Sequence, residues 1–169
     1  MLPEITGLRK GIPEIGVRMG LATGDVTIGN IGSELSRGFT VIGDTVNLAS
    51  RLEGANKEYG TWILMSEETR RMAGDAIEAR EIDAIRVMGK SEPVRIFELV
   101  GRKGEPNPLK APYEEALAHY RAGDLDGSEK NFLLLKDDPP AKVMLARIAY
   151  LRQHPEARRA GGVWDLTRK

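Results

Sequence analysis

Asn47 and Arg51 are the two side chains of this 169-residue sequence whose types and spacing best suit chemistry. They lie in Phe39-Thr-Val-Ile-Gly-Asp-Thr-Val-Asn-Leu-Ala-Ser-Arg-Leu-Glu53. Phe39–Ile42 has the make-up of a short strand. Gly43-Asp44-Thr45 then opens a helix, with Asp44 or Thr45 suited to its N-cap. Val46, Ala49, Leu52 and Ala55 follow at helical spacing as the buried stripe, and the pattern fades near Tyr59-Gly60. Four residues apart on a helix, Asn47 and Arg51 share one face. A guanidinium there can neutralise charge developing on a transferring phosphoryl group, and an amide can fix a sugar oxygen. The same spacing also suits a surface helix carrying ordinary polar residues.

Other chemistries find little support. There are no cysteines, which excludes disulfides, thiolate metal sites and thiol nucleophiles and fits a reducing, cytoplasmic setting. The two histidines, His119 and His154, are far apart in a helix-like region and form no metal-binding pattern. Lysine and arginine total 25, as do aspartate and glutamate, so no surplus positive charge points to nucleic acid or an anionic membrane. No apolar run has the length of a membrane span, and the N-terminus lacks the layout of a signal peptide. A 41% hydrophobic and 30% charged composition is that of a soluble globular protein.

The elements that position these residues read as an α+β arrangement. Residues 1–15 form an irregular lead-in. Val17, Met19 and Leu21 alternate as a strand, Val26–Ile28 as a second, and the two are expected to form a hairpin around Thr23-Gly24-Asp25. Gly29-Asn30-Ile31-Gly32-Ser33 reads as a loop. Trp62–Met65 is a buried strand, Ser66 begins a short helix ending near Gly74, and Ile77–Met88 and Val94–Val100 are strands around the Gly89–Pro93 turn. Residues 102–112 read as a linker. Residues 113–169 form a helical extension, broken at Gly123-Asp124 and Pro139-Pro140 and resembling one tetratricopeptide-like unit or a plain helical appendage.

Residues 16–101 resemble the C-terminal half of class III adenylyl and guanylyl cyclase catalytic domains. The matching stretches are Val17-Arg-Met-Gly-Leu-Ala-Thr-Gly-Asp-Val26, Gly29-Asn-Ile-Gly-Ser33, Thr40-Val-Ile-Gly-Asp-Thr-Val-Asn-Leu-Ala-Ser-Arg-Leu-Glu53 and Gly89-Lys-Ser-Glu-Pro-Val94. The resemblance implies part of a ferredoxin-like cyclase sheet with flanking helices, conversion of ATP to cyclic AMP and pyrophosphate with two Mg²⁺ or Mn²⁺ ions, and pairing as a homodimer or with another cyclase domain. It assigns Asn47 to orienting the ribose and Arg51 to stabilising charge on the α-phosphate. Thr40 falls on a purine-reading position that does not decide the base alone; with the bacterial-like pattern around it the expectation is adenine, with guanylyl specificity the alternative.

Two departures qualify the resemblance. The family's two metal-binding aspartates and its purine-reading lysine lie upstream of the matched region, and this chain begins after all three. Asp25 and Asp44 are read as a turn residue and a helix cap, so no residue here is assigned to metal. The chain is therefore expected to be inactive alone; in the alternative reading it is a non-catalytic module that pairs with a complete cyclase domain. The family's Val-Lys-Gly-Lys reads Val87-Met-Gly-Lys90, leaving Lys90 either to contact phosphate or to solubilise a turn. The tail, ending in Gly162-Val-Trp-Asp-Leu166, resembles the C-terminal extension of some bacterial cyclases, with Trp164 as an apolar anchor.

Overall fold

The structure is a computed structural model that describes residues 16–33, 36–87 and 92–166. Its elements are β1 (Met19–Leu21), β2 (Thr27–Ser33), β3 (Ser36–Ile42), α1 (Asp44–Tyr59), β4 (Ile63–Ser66), α2 (Glu67–Ala73), β5 (Ile77–Val87), β6 (Val94–Arg102), α3 (Lys110–Ala122), α4 (Leu125–Leu133), α5 (Pro139–Gln153) and β7 (Trp164–Leu166). Five strands form one sheet in the order β1-β4-β6-β5-β7, and β2 and β3 form a separate two-stranded ribbon. The architecture is mixed α+β, as expected.

The strand pairing near the start corrects the sequence reading. Residues 17–21 and 26–28 do not form a hairpin with each other. β1 pairs in parallel with β4, Met19 opposite Ile63 and Leu21 opposite Met65. β2 pairs antiparallel with β3, Thr27 opposite Ile42 and Gly29 opposite Thr40. The stretch 29–33 is therefore strand rather than loop. Its glycines supply little side-chain pattern, but the ladder is built from backbone groups and needs none. Parallel pairing of β1 with β4 requires a long crossover, and the β2–β3 ribbon followed by α1 provides it.

The buried stripe of α1 is Leu48, Leu52, Ala55, Asn56 and Tyr59. It is rotated from the expected stripe, since Val46 and Ala49 are only half-buried. The N-cap is Gly43, not Asp44 or Thr45, and no side chain caps this end. The helix stops at Gly60, whose φ of 69° is left-handed and whose missing side chain leaves room for Pro139. Ser66 caps α2 by accepting from the Thr69 amide at 3.3 Å.

Of the helices after residue 109, α3 packs on β5, α4 on α3 and α5, and α5 on α1, and they share one apolar cluster with α1, β4, β5 and β6, including Leu52, Leu64, Ile85, Tyr113, Phe132 and Ile148. The prolines expected only to break a helix instead open α5, behind the N-cap Asp138. The tail also returns a strand: β7 pairs in parallel with β5, Ile85 opposite Trp164. Trp164 packs against the cluster and lies under the Arg147 guanidinium, 4.4 Å from its ring centroid.

Charged side chains of β5 hold the tail in place. Arg80 makes a two-point bond with Asp138, at 2.8 and 3.1 Å, and also reaches Glu98 at 2.8 Å. Burial holds the Glu98 carboxyl above its ordinary pKa despite Arg80. Glu81 accepts from Arg95 and from Arg121 of α3. Its burial opposes ionisation, but these two guanidiniums outweigh that and lower its pKa. Asp83 pairs with Arg147 of α5 at 2.5 Å, and both are almost fully buried.

Candidate active site

β3 runs directly through Gly43 into α1, so the ribbon that carries Thr40 also aims the helix that carries Asn47 and Arg51. Thr40 is half-buried and lies opposite Gly29 in the ribbon. Asn47 is exposed and Arg51 half-buried. At about 100° per residue, both fall on one flank of the buried stripe, with Ala49 and Glu53 on the other. That second flank lies against β1. A Cβ at Gly20 would collide with the Ala49 carbonyl and the Glu53 amide, so glycine is required for the helix backbone to approach the strand this closely.

Polar contacts fix α1 at both ends. Thr45 Oγ1 donates to the Asp25 carbonyl at 3.1 Å, tying the first turn to the β1–β2 loop. Asn56 is fully buried. Its Nδ2 donates to the carbonyls of Met19 and Leu52, each at 2.9 Å, and its Oδ1 accepts from Thr61 Oγ1 at 2.8 Å. At the last residue of the helix, Tyr59 Oη donates to Asp83 at 2.5 Å and accepts from Arg147 Nη2 at 2.9 Å. Burial and the Asp83 charge raise the Tyr59 pKa well above its ordinary value, so the phenol remains a donor.

This scaffold presents an amide and a guanidinium one turn apart, beside a strand bearing a hydroxyl. No ion pair with a described residue occupies Arg51. The arrangement can bind an anion and a neighbouring hydroxyl group. A cleft of about 460 Å³ lies elsewhere and is lined by Arg147, Tyr150 and Trp164 among others. Lys90 lies outside the described residues. Asp25 and Asp44 are both exposed, Asp44 as the first residue of α1.

Among the described residues, no three His, Asp or Glu side chains converge in a way that could hold a metal ion. The described residues by themselves therefore supply no three-ligand metal centre. His119 bonds Asp124 at 2.7 Å, and His154 stacks on Tyr150 at 4.4 Å. No helix among the described residues is long and apolar enough to cross a membrane.

Sequence reasoning missed Gly20, Asn56 and the Tyr59–Asp83–Arg147 group. The glycine and the asparagine matter through what packs on them. The last group joins residues remote in sequence, and no local pattern could have revealed it.

The helix carrying Asn47 and Arg51 is fed by a β-ribbon and packed on a mixed sheet, and comparison with known proteins gives the family. The model of the adenylate and guanylate cyclase catalytic domain matches residues 6–101, more than half of the chain, and the chain belongs to that family. It is 40% identical over 91 residues to adenylate cyclase 1 of Rhizobium meliloti (strain 1021), covering 54% of this chain and 14% of that protein. It is 37% identical over 106 residues to retinal guanylyl cyclase 2 of Rattus norvegicus, covering 60% of this chain and 9% of that protein. The crystal structure of the adenylyl cyclase CyaB from P. aeruginosa is 38% identical, with a TM-score of 0.48, covering 57% of this chain and 49% of that one. The chain thus spans only a small part of the length of the curated relatives it matches, which include both adenylyl and guanylyl cyclases.

Proposed function

We propose that this chain supplies the ribose- and phosphate-facing side of an adenylyl cyclase site, where ATP is converted to cyclic AMP and pyrophosphate. The observation that carries this reading is the shared flank of Asn47 and Arg51 on a helix pinned at both ends. In this reading Asn47 holds the ribose so that its 3′ oxygen faces the α-phosphate. Arg51 meets the negative charge that builds there as the new bond forms and pyrophosphate leaves. Thr40 reads the purine edge with a hydroxyl that both donates and accepts. Lys90 contacts phosphate. The catalytic portion is residues 16–101. The linker 102–112, which takes in the end of β6 and the start of α3, and the helical residues 113–169, with α3 and α4 as one tetratricopeptide-like pair, form its extension.

The family's Mg²⁺ or Mn²⁺ requirement finds no matching carboxylate cluster among the described residues. From the family resemblance, in which the metal-binding aspartates match no residue of the 16–101 stretch, we assign the metal-bearing side to a paired cyclase domain and expect the chain alone to be inactive. Bare apolar side chains support such pairing. Val17, Met19, Ile28, Val41, Ile42 and Trp62 are each between 45% and 65% exposed, on the ribbon, on β1 and beside their ends. Cytoplasmic placement, where ATP is available, is part of the same proposal.

Specificity is tested by mixing the chain with a metal-competent cyclase domain and supplying ATP or GTP. Cyclic AMP should form at least about tenfold faster than cyclic GMP, because a polar pocket strongly rejects a base that leaves its groups unpaired. Equal rates, or a preference for GTP, would overturn the adenine assignment. The 37% identity to a retinal guanylyl cyclase makes the GTP arm essential.

A further inference from the structure

The last turn of α1 is joined to the C-terminal extension by a closed set of buried polar contacts. Tyr59 Oη donates to Asp83 on β5. Arg147 on α5 donates to the same carboxylate and to the Tyr59 oxygen. The other side of the Arg147 guanidinium rests on the Trp164 ring. Trp164 sits on β7, which pairs with β5, the strand that carries Asp83. The circuit thus runs from α1 to β5, to α5, to β7 and back to β5. Where the chain leaves α1, Gly60 lies against Pro139 at the start of α5, with no room for a side chain.

We propose that Tyr59 and Arg147 are positioning residues, through which the C-terminal helices set the rotation and tilt of α1 and hence the aim of Asn47 and Arg51. This rests on the reading of α1 as the nucleotide-facing helix. The physical argument is one of geometry. Tyr59, Asp83 and Arg147 are at most 4% exposed. Apolar residues of similar volume would hold two helices together at least as well, so cohesion alone does not require buried charge. A greasy contact permits a helix to rotate or slide, whereas hydrogen bonds of fixed direction admit one arrangement. Tyr59 lies eight residues beyond Arg51, about 12 Å along the helix axis. A small tilt at that end therefore displaces the guanidinium, and misplacement by about 1 Å can cost about a hundredfold in rate.

The test is Tyr59→Phe in the full chain, which keeps the ring and the Asp83–Arg147 pair and removes only the hydroxyl. Amides of the last two turns of α1 should exchange with deuterium about tenfold faster, while those of β5 and β6 stay unchanged. Mixed with a metal-competent cyclase domain, the variant should lose about tenfold in kcat with KM for ATP within about twofold. Arg147→Lys keeps the charge but not the two-point geometry, and should give the same exchange pattern. Unchanged α1 exchange in Tyr59→Phe, uniform acceleration across the core, or wild-type exchange in Arg147→Lys would overturn the proposal. If the wild-type mixture makes no cyclic nucleotide, the functional reading fails, and the exchange data still decide whether the latch orders α1.

Discussion

Alanine at Arg51 lowers the kcat of the assembled enzyme by about a hundredfold to a thousandfold and leaves KM for ATP within about twofold. The magnitude is that of removing one preorganised donor from a developing oxyanion. Charge on the α-phosphate grows as the ribose oxygen attacks, so Arg51 contributes more in the transition state than in the bound ground state. The substitution should not disturb the fold, because Arg51 flanks the buried stripe and no ion pair with a described residue engages it. Arg51→Lys should recover only part of the loss, since an ammonium cannot offer the planar two-point contact of a guanidinium. Steady-state kinetics of the mixed enzyme decide it: a large rise in KM at unchanged kcat contradicts the role.

Asp83→Ala destabilises the chain by about 3–5 kcal/mol, the range for removing one partner of a buried ion pair. That is a large share of the roughly 5–15 kcal/mol by which a domain is stable. The substitution leaves the Arg147 guanidinium, 2% exposed, without its carboxylate and takes away the acceptor of Tyr59. Removing both charges at once, as Asp83→Ala with Arg147→Met, should restore much of the loss. Urea unfolding checks this through a lower midpoint at unchanged slope for the single variant. A loss below about 1 kcal/mol would mean that water reaches the pair and takes over its solvation.

How much of this was legible in the sequence depended on whether the signal was local. α1, β4, α2, β5 and β6 carry their own periodicity and caps, and appear within a few residues of their expected limits. Strand pairing is not local. Val17–Leu21 alternates identically whether its neighbour is the next strand or one more than forty residues on, and the structure chooses β4. Gly20 permits the packing that goes with it, since only a side chain of hydrogen lets α1 lie this close on β1. The charges of β5 were equally opaque. Arg80, Glu81 and Asp83 look like a solvated strand face until α3 and α5 supply Arg121, Asp138 and Arg147. β7 was missed because three residues have no period to read. The shared flank of Asn47 and Arg51 was legible because a four-residue helical spacing fixes it before any tertiary packing.

The central claim is that this chain contributes one side of a shared cyclase site, with Arg51 acting in it. The most direct measurement mixes the purified chain with a metal-competent cyclase domain whose own arginine at the position matching Arg51 has been replaced by alanine. Cyclic AMP is then measured with ATP and excess Mn²⁺. The account predicts product from the mixture, none from either component alone, and none when the chain carries Arg51→Ala. Failure to form product while sedimentation shows that the two associate, or product that survives Arg51→Ala, would contradict it.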